Sequence, residues 1–99
     1  MSVEATLARI ANHPGVIGYF VLNEDGAAIK YHGLDQTQIS SYAHIVHQFT
    51  IQACTGIRDL DPSNKLNFIR VRSEDNREII ICPEKDLVFV VIQKISGES

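Results

Sequence analysis

The chain has 99 residues, of which 44% are hydrophobic and 21% charged, and its formal net charge is −3 at pH 7. This length predicts a single domain spanning residues 1–99, since domains typically contain about 100–150 residues. The acidic balance argues against nucleic acid and against a polybasic membrane anchor. No window reaches the roughly 18 apolar residues that a membrane-spanning helix needs. Composition therefore predicts a protein partner.

The start of the chain and its cysteines bear on the cellular compartment. Glu4 lies in an N-terminal segment without a long apolar core, so no signal peptide is predicted. Cys54 and Cys82 have no ligand-like spacing, which favours reduced thiols. We expect a soluble protein of the cytoplasm.

The first third of the chain predicts a short helix followed by a hairpin. Ser2 can cap the helix, Pro14-Gly15 ends it, and apolar residues recur within it at helical spacing: Val3, Leu7 and Ile10. Residues 16–22 are apolar on both alternating faces, as in a strand buried on two sides. Residues 23–26 (Asn-Glu-Asp-Gly) are a hairpin signal, and residues 27–32 predict the returning strand.

The rest of the chain predicts one long helix and three strands. From residue 37 to 59 apolar side chains recur every three or four positions, giving a helix of roughly 35 Å, which Pro62 stops. Strands are predicted at residues 66–72, 77–82 and 87–93. The two connections between them have only four residues each, which makes consecutive strands antiparallel neighbours. The order α-β-β-α-β-β-β therefore predicts an α+β domain with a five-stranded antiparallel sheet.

Several segments carry a family resemblance. Residues 57–62 (Ile-Arg-Asp-Leu-Asp-Pro) are followed by residues 66–72 (Leu-Asn-Phe-Ile-Arg-Val-Arg) and 78–80, and the pattern closes with residues 83–86 and 90–93. Together these segments resemble the roadblock family of dynein light chains, within the roadblock/longin-like superfamily. The similarity covers nearly the whole chain and is strongest from Tyr42 onward.

The resemblance implies a roadblock, or profilin-like, fold and a non-catalytic light-chain subunit of a dynein motor complex. Members of this type form homodimers, bind a segment of the dynein intermediate chain and support microtubule-based cargo transport. The implied location is the cytoplasm, in association with microtubules and the cytoskeleton, or the axoneme. Cargo adaptors and small GTPases are further implied partners. The alternative is a scaffold or regulator of a small Ras-like GTPase within the same superfamily.

The predicted strand at residues 66–72 lies at a sheet edge in the family topology. It contains no proline or glycine that would block pairing, and its seven residues span roughly 23 Å. This length allows antiparallel pairing with a second copy about a two-fold axis; the alternative is a strand covered on both faces within one monomer. The residues predicted at the dimer interface lie on this strand or on the long helix: Leu66, Phe68, Arg70, Arg72, Ile45, Phe49 and Gln52.

A second surface is predicted to bind a partner protein. The first and last strands are apolar on both faces, so both faces of the sheet need cover. The first helix, at about 15 Å, is too short to cover one face alone. An amphipathic partner helix is expected to complete that face. The residues predicted to contact a partner lie on the first helix, on the last strand or at the end of the long helix: Val3, Leu7, Ile10, Val88, Val90, Arg58 and Asp59.

No residue combination predicts catalysis, a cofactor or a metal. His44 and His47 lack the third and fourth ligands of a zinc site, and Cys54 is expected to be buried as a small hydrophobe. The carboxylate pairs at residues 24–25 and 74–75 lie in turns. The polar cluster around Asp61 has two interpretations: it forms a turn that ends the helix, or it is an ion-pair site for a partner. We expect no enzyme activity.

Overall fold

The computed structural model describes residues 3–95 of the chain, so Ser2, the predicted cap of the first helix, lies outside the described residues. The expected fold class and element order are confirmed. All strand pairs are antiparallel, and the five strands form one sheet in the order β2-β1-β5-β4-β3. The elements are α1 (Val3–Ala11), β1 (Val16–Leu22), β2 (Ala28–His32), α2 (Gln36–Leu60), β3 (Ile69–Arg72), β4 (Arg77–Glu84) and β5 (Leu87–Lys94).

The main core lies between α2 and one face of the sheet. Alternate residues of β1, β4 and β5 point toward α2 and meet the apolar stripe of that helix. Each fully buried aliphatic or aromatic side chain contributes about 1.5–3 kcal/mol, so this layer supplies most of the stability of the domain. The buried residues of this core are Phe20, Leu22, Ile39, Ala43, Val46, Ile81, Val90 and Ile92.

A smaller cluster lies on the opposite face of the sheet, where α1 packs over β1. Tyr19 and Val21 are its buried members, and Ala11 of α1 packs against them. Apolar side chains of β5 complete the cluster: Leu87, Phe89 and Val91. The first helix therefore covers part of this face, and the sheet has helices on both sides.

Asp35 fixes the start of α2 through a capping box. Its carboxylate accepts a hydrogen bond from the backbone N–H of Gln38 at 2.8 Å, and the side-chain oxygen of Gln38 accepts one from the backbone N–H of Asp35 at 3.0 Å. At the other end Asp61 caps the helix, and it accepts bonds from the backbone and hydroxyl of Ser63. These bonds lower the pKa of Asp61. Turn chemistry thus accounts for the Asp61 cluster.

The Asp35→Ala variant is expected to unfold with a free energy about 1 kcal/mol lower than the parent protein, because the N–H of Gln38 loses its acceptor. Asp35→Ser keeps an acceptor oxygen at the same position and is the matched control, for which only a small change is expected. Urea unfolding followed by circular dichroism measures both. Equal stabilities for the alanine and serine variants would show that the cap contributes nothing.

The strand boundaries differ from the sequence prediction in the second hairpin region. β3 contains only Ile69–Arg72, so Leu66 and Phe68 precede the strand. Residues 64–68 form no regular structure, and they follow a turn in which the backbone N–H of Asn64 donates to the carbonyl of Asp61 at 2.9 Å. β4 in turn extends to Glu84, which leaves residues 85–86 as a two-residue turn. Neither helix within residues 3–95 is long and apolar enough to span a membrane.

Candidate interaction surfaces

The two edge strands of the sheet differ in how open they are. The pairing of β1 with β2 shifts register between Val21 and Leu22, which leaves Ile29 as an extra residue on β2. Such a bulge disturbs an edge and hinders pairing with another chain. β3 pairs with β4 in unbroken register from Ile69 to Arg72. The β3 edge is therefore the one suited to a further strand.

An apolar surface continues from the β3 edge onto α2. Phe49, Gln52 and Ala53 of the helix face Ile69 and Val71 of β3 across a shallow cavity of about 400 Å³. A contiguous patch of apolar side chains that remains exposed to solvent commonly marks an interaction site. Together with Ile45, which is 47% exposed on α2, these residues form the seam surface.

The predicted dimer-interface residues fall into three groups. Ile45, Phe49 and Gln52 lie on the seam surface as a set. Arg70 and Arg72 lie on the same edge strand but on the opposite face of the sheet, since their cross-strand neighbours are Ile80 and Glu78.

The third group lies before β3. Phe68 is exposed next to the strand, whereas Leu66 lines a different groove with Cys54 and Lys85. The sequence prediction did not include Ile69 and Val71, which line the seam surface. The alternation of β3, with arginines on one face and apolar residues on the other, was the signal for them.

The open-face groove lies between α1 and β4, on the side of the sheet away from α2. It has a volume of about 440 Å³. Because α1 packs over β1, the side chains of β4 on this face have no helix above them among residues 3–95. The residues that line the groove come from α1, the strand starts and the adjoining faces of β4 and β5: Arg9, Ile10, His13, Val16, Ile80, Cys82, Val91 and Gln93.

The predicted partner-contact residues are only partly brought together by the fold. Ile10 lines the open-face groove, while the side chains of Val3 and Leu7 lie outside the described residues. The prediction that Val88 and Val90 contact a partner needs correction, because both side chains face α2 and Val90 is buried in the core. The β5 residues that face away from α2 are the ones that alternate with these, including Phe89 and Val91. Strand alternation places each set on its own face.

Arg58 and Asp59 lie far from the open-face groove, in the layer of α2. Arg58 lines a separate groove of about 390 Å³ with Lys65, Glu84 and Lys85. Asp59 is exposed in the last turn of the helix. The two halves of the predicted partner site thus lie on opposite sides of the sheet, and a single short helix cannot contact both.

Glu78 is the polar residue that sequence reasoning missed. Its side chain is only 3% exposed, and its carboxylate lies 3.4 Å from Nε of Arg70 and 3.6 Å from a terminal nitrogen of Arg72. Gln93 also donates a hydrogen bond to it, at 2.8 Å. Burying a carboxylate is unfavourable unless such partners are present. The pairing of Arg72 with Glu78 across the hairpin was the available signal.

Within residues 3–95, no group of three or more His, Cys, Asp and Glu side chains is placed to hold a metal ion. His44 and His47 line a cavity beside the β1–β2 turn. His47 lies against Gly26 of that turn, where an added Cβ would come within 2.7 Å of its ring. Cys54 and Cys82 are free thiols.

Cys82 is expected to react slowly with alkylating reagents in the folded protein. Burial in the open-face groove raises the pKa of its thiol, and the charge of Glu84 raises it further. A raised pKa leaves less of the reactive thiolate near pH 8. Mass spectrometry of the Cys54→Ser variant gives the rate against pH, with the urea-unfolded chain as reference. Equal rates for folded and unfolded chains would contradict the expectation.

The arrangement of edge strand, helix and sheet fits a known domain family. A family model described as the Roadblock/LC7 domain matches residues 2–93. The chain belongs to the Roadblock/LC7 domain family. This bears out the resemblance drawn from residues 57–62 and the strands that follow.

Two solved structures share the fold of this roadblock domain. The Roadblock/LC7 domain from Streptomyces avermitilis is 11% identical, with a TM-score of 0.81 over 95% of this chain and 79% of that one. Myxococcus xanthus MglB is 20% identical, with a TM-score of 0.69 over 90% of this chain and 70% of that one. At these identities the likeness establishes the fold alone.

Proposed function

We propose that this roadblock domain is a homodimeric, non-catalytic light-chain subunit of a dynein motor complex. In this role it binds the dynein intermediate chain and supports microtubule-based cargo transport in the cytoplasm. The observation that carries the proposal is a pair of separate surfaces on one small domain, namely the seam surface and the open-face groove. The first takes a second copy of the chain and the second takes the intermediate chain.

The seam surface supports the homodimer through its geometry. A two-fold axis perpendicular to the sheet pairs β3 antiparallel with its copy and continues the sheet across both subunits. The same axis leaves both α2 helices on one face, so Phe49 and Ile45 of one subunit approach their counterparts in the other. The interface then unites backbone pairing with apolar burial, the combination that gives a stable association.

The open-face groove supports a helical partner. Ile10, Ile80 and Val91 give it an apolar floor and wall, which suits the apolar stripe of an amphipathic helix. The groove and the seam surface lie on opposite faces of the sheet, so a partner in the groove does not compete with dimerisation. One subunit can bind its copy and the intermediate chain together.

A second candidate is a scaffold or regulator of a small Ras-like GTPase. The observation that favours it is that both compared structures come from bacteria, so the fold is not restricted to the dynein complexes of eukaryotic cells. Such a role uses the same homodimer but places a globular partner on it.

Affinity capture with the tagged full chain, followed by mass spectrometry, separates the two candidates. Recovery of the dynein intermediate chain from cell extract, at near-equal amounts to the bait, is the expected result. Recovery of a Ras-like GTPase without intermediate chain would replace the first candidate with the second. Light scattering over a micromolar concentration series tests the homodimer, for which a mass of twice the 11.0 kDa chain is expected.

A further inference from the structure

We propose that the homodimer builds an arginine cluster across its two-fold axis, and that this cluster selects an acidic amphipathic helix for the open-face groove. The inference rests on the proposed dimer and names the chemistry of the segment that the groove takes.

The face on which the arginines lie follows from the register of β3. Arg70 pairs with Ile80 and Arg72 with Glu78, and Ile80 in turn pairs with Val91 on the open face. Both arginines therefore lie on the open face, while Ile69 and Val71 face α2. A perpendicular two-fold axis keeps these faces the same in both subunits. The arginines of the two copies then share one side of the continuous sheet.

The cluster forms in either of the two registers that centre the pairing within β3. Paired residues of antiparallel strands lie on the same face of the sheet. Arg70 and Arg72 can therefore be paired only with even-numbered residues of the copy, which lie on the same face as the arginines. Side chains in such pairs lie about 5 Å apart when directly opposite and about 7–8 Å apart on the diagonal. With only four residues in β3, a pairing centred on Arg70 places Arg70 opposite its copy, and a pairing centred on Val71 places Arg70 opposite Arg72, so either register brings the arginines of both copies within this range.

The charges in the cluster do not balance. Each subunit contributes two guanidinium groups and one buried carboxylate, that of Glu78. The dimer thus places four positive charges beside two negative ones. Asp75, in the turn after β3, is engaged with Arg77 at 3.7 Å. Because Arg70 and Arg72 are 58% and 59% exposed, the excess positive charge is accessible to a partner.

The width of the groove places a partner helix between two basic borders. Three strand spacings separate β1, which lies under α1, from β3, a distance of about 14 Å at roughly 4.8 Å each. A helix packed beside α1 at about 8–10 Å lies over β4, with its apolar stripe on Ile80 and Cys82. Its edge toward the two-fold axis meets the arginine cluster, and its other edge lies along Arg9. Acidic residues therefore fit both edges.

Two synthetic helical peptides with the same apolar stripe test this charge preference. One carries glutamate at both edges of the stripe and the other carries lysine, and each bears a fluorophore for anisotropy with the full chain. The glutamate peptide is expected to bind about tenfold more tightly or better, and added salt is expected to weaken it. Equal binding of the two peptides would overturn the proposal.

Two double variants, each of which removes two positive charges, test which face of the sheet attracts the peptide. Arg70→Gln with Arg72→Gln is expected to weaken binding of the glutamate peptide about tenfold. Arg58→Gln with Lys65→Gln removes the same charge from the other side of the sheet, and it is expected to leave binding unchanged. Circular dichroism checks that both double variants fold. Equal effects of the two would mean that overall charge, not the cluster, attracts the peptide.

The two native cysteines give a test that needs no substitution. Cys82 lies in the open-face groove, whereas Cys54 lies in the groove beside Arg58 on the other side of the sheet. Bound glutamate peptide is expected to slow alkylation of Cys82 several-fold and to leave Cys54 unaffected, as read by mass spectrometry of the unaltered protein. Protection of Cys54, or of neither thiol, would overturn the assignment of the helix to this groove.

Light scattering of the same samples separates failure of this inference from failure of the proposed function. A dimer that does not distinguish the peptides refutes the inference and leaves the adaptor role standing. A monomer at the binding concentration refutes the dimer and the cluster together. Displacement of the peptide by an oligonucleotide or by phosphatidylserine vesicles at comparable concentration would overturn the selection of an acidic protein segment.

Discussion

Phe49→Glu is expected to convert the protein from a dimer to a monomer at micromolar concentration, whereas Ile51→Glu is expected to leave it dimeric. Both side chains are exposed on α2, at 45% and 52%, so neither substitution disturbs the core. They lie two positions apart, which turns them about 200° from each other around the helix. Only Phe49 lies on the seam surface.

The size of the effect follows from the symmetry of the interface. Buried aromatic residues at the centre of an interface commonly contribute about 2 kcal/mol or more. A two-fold interface contains Phe49 twice, so the loss is about 4 kcal/mol, or roughly a thousandfold in Kd. The glutamates of the two subunits also repel each other across the axis, which adds to the loss.

Sedimentation or light scattering over a concentration series measures the change, and circular dichroism confirms that both variants keep their helices. If the Phe49 variant stays dimeric, the seam surface is not the dimer interface. If the Ile51 variant dissociates instead, the interface lies on the opposite flank of α2, beside His44 and the β1–β2 turn.

Sequence periodicity predicted most of the fold because the relevant signals are local. The predicted helix at residues 37–59 differs from α2, Gln36–Leu60, by one residue at each end, since its caps are encoded next to it. The predicted strand at residues 66–72 was too long, because extended structure at an edge depends on pairing. Only Ile69–Arg72 pairs with β4, and Leu66 lies in a groove instead.

The partner surface was harder to predict because the informative pattern is absent from the last strand. β5 is apolar on both faces, so its alternation does not reveal which residues face α2. Val88 and Val90 were chosen for a partner, yet they belong to the core side. Which helix covers which face is a property of the whole chain. The positions of the arginines on β3 could be predicted from strand alternation. Their pairing with a buried carboxylate could not, because it depends on the burial of Glu78 beside them.

Gly33→Ala is expected to lower the free energy of unfolding by about 3 kcal/mol or more. Gly33 follows β2 with φ of +85°, a conformation that costs an L-residue about 1–2 kcal/mol. An added Cβ would also press against the carbonyl oxygen of Ile17 and lie 2.9 Å from Cα of Gly18. These are backbone atoms of the adjacent strand, which cannot move without disturbing the pairing of β1 with β2.

Gly56→Ala supplies the matched control with the opposite sign. Gly56 lies within α2, and an added Cβ there meets no atom within 4 Å. Replacing an exposed helical glycine with alanine stabilises a protein by up to about 1 kcal/mol. The same chemical change is thus expected to destabilise at one glycine and to stabilise at the other.

Urea unfolding at one fixed protein concentration measures both variants, because dimer dissociation contributes to the apparent stability. Repeating the pair in the Phe49→Glu background removes that contribution and isolates the fold of the single chain. A total stability of only about 5–15 kcal/mol is usual for a domain, so the loss at Gly33 is a large share of it. Equal shifts for the two variants would mean that the close approach of Gly33 to β1 does not constrain the residue at this position.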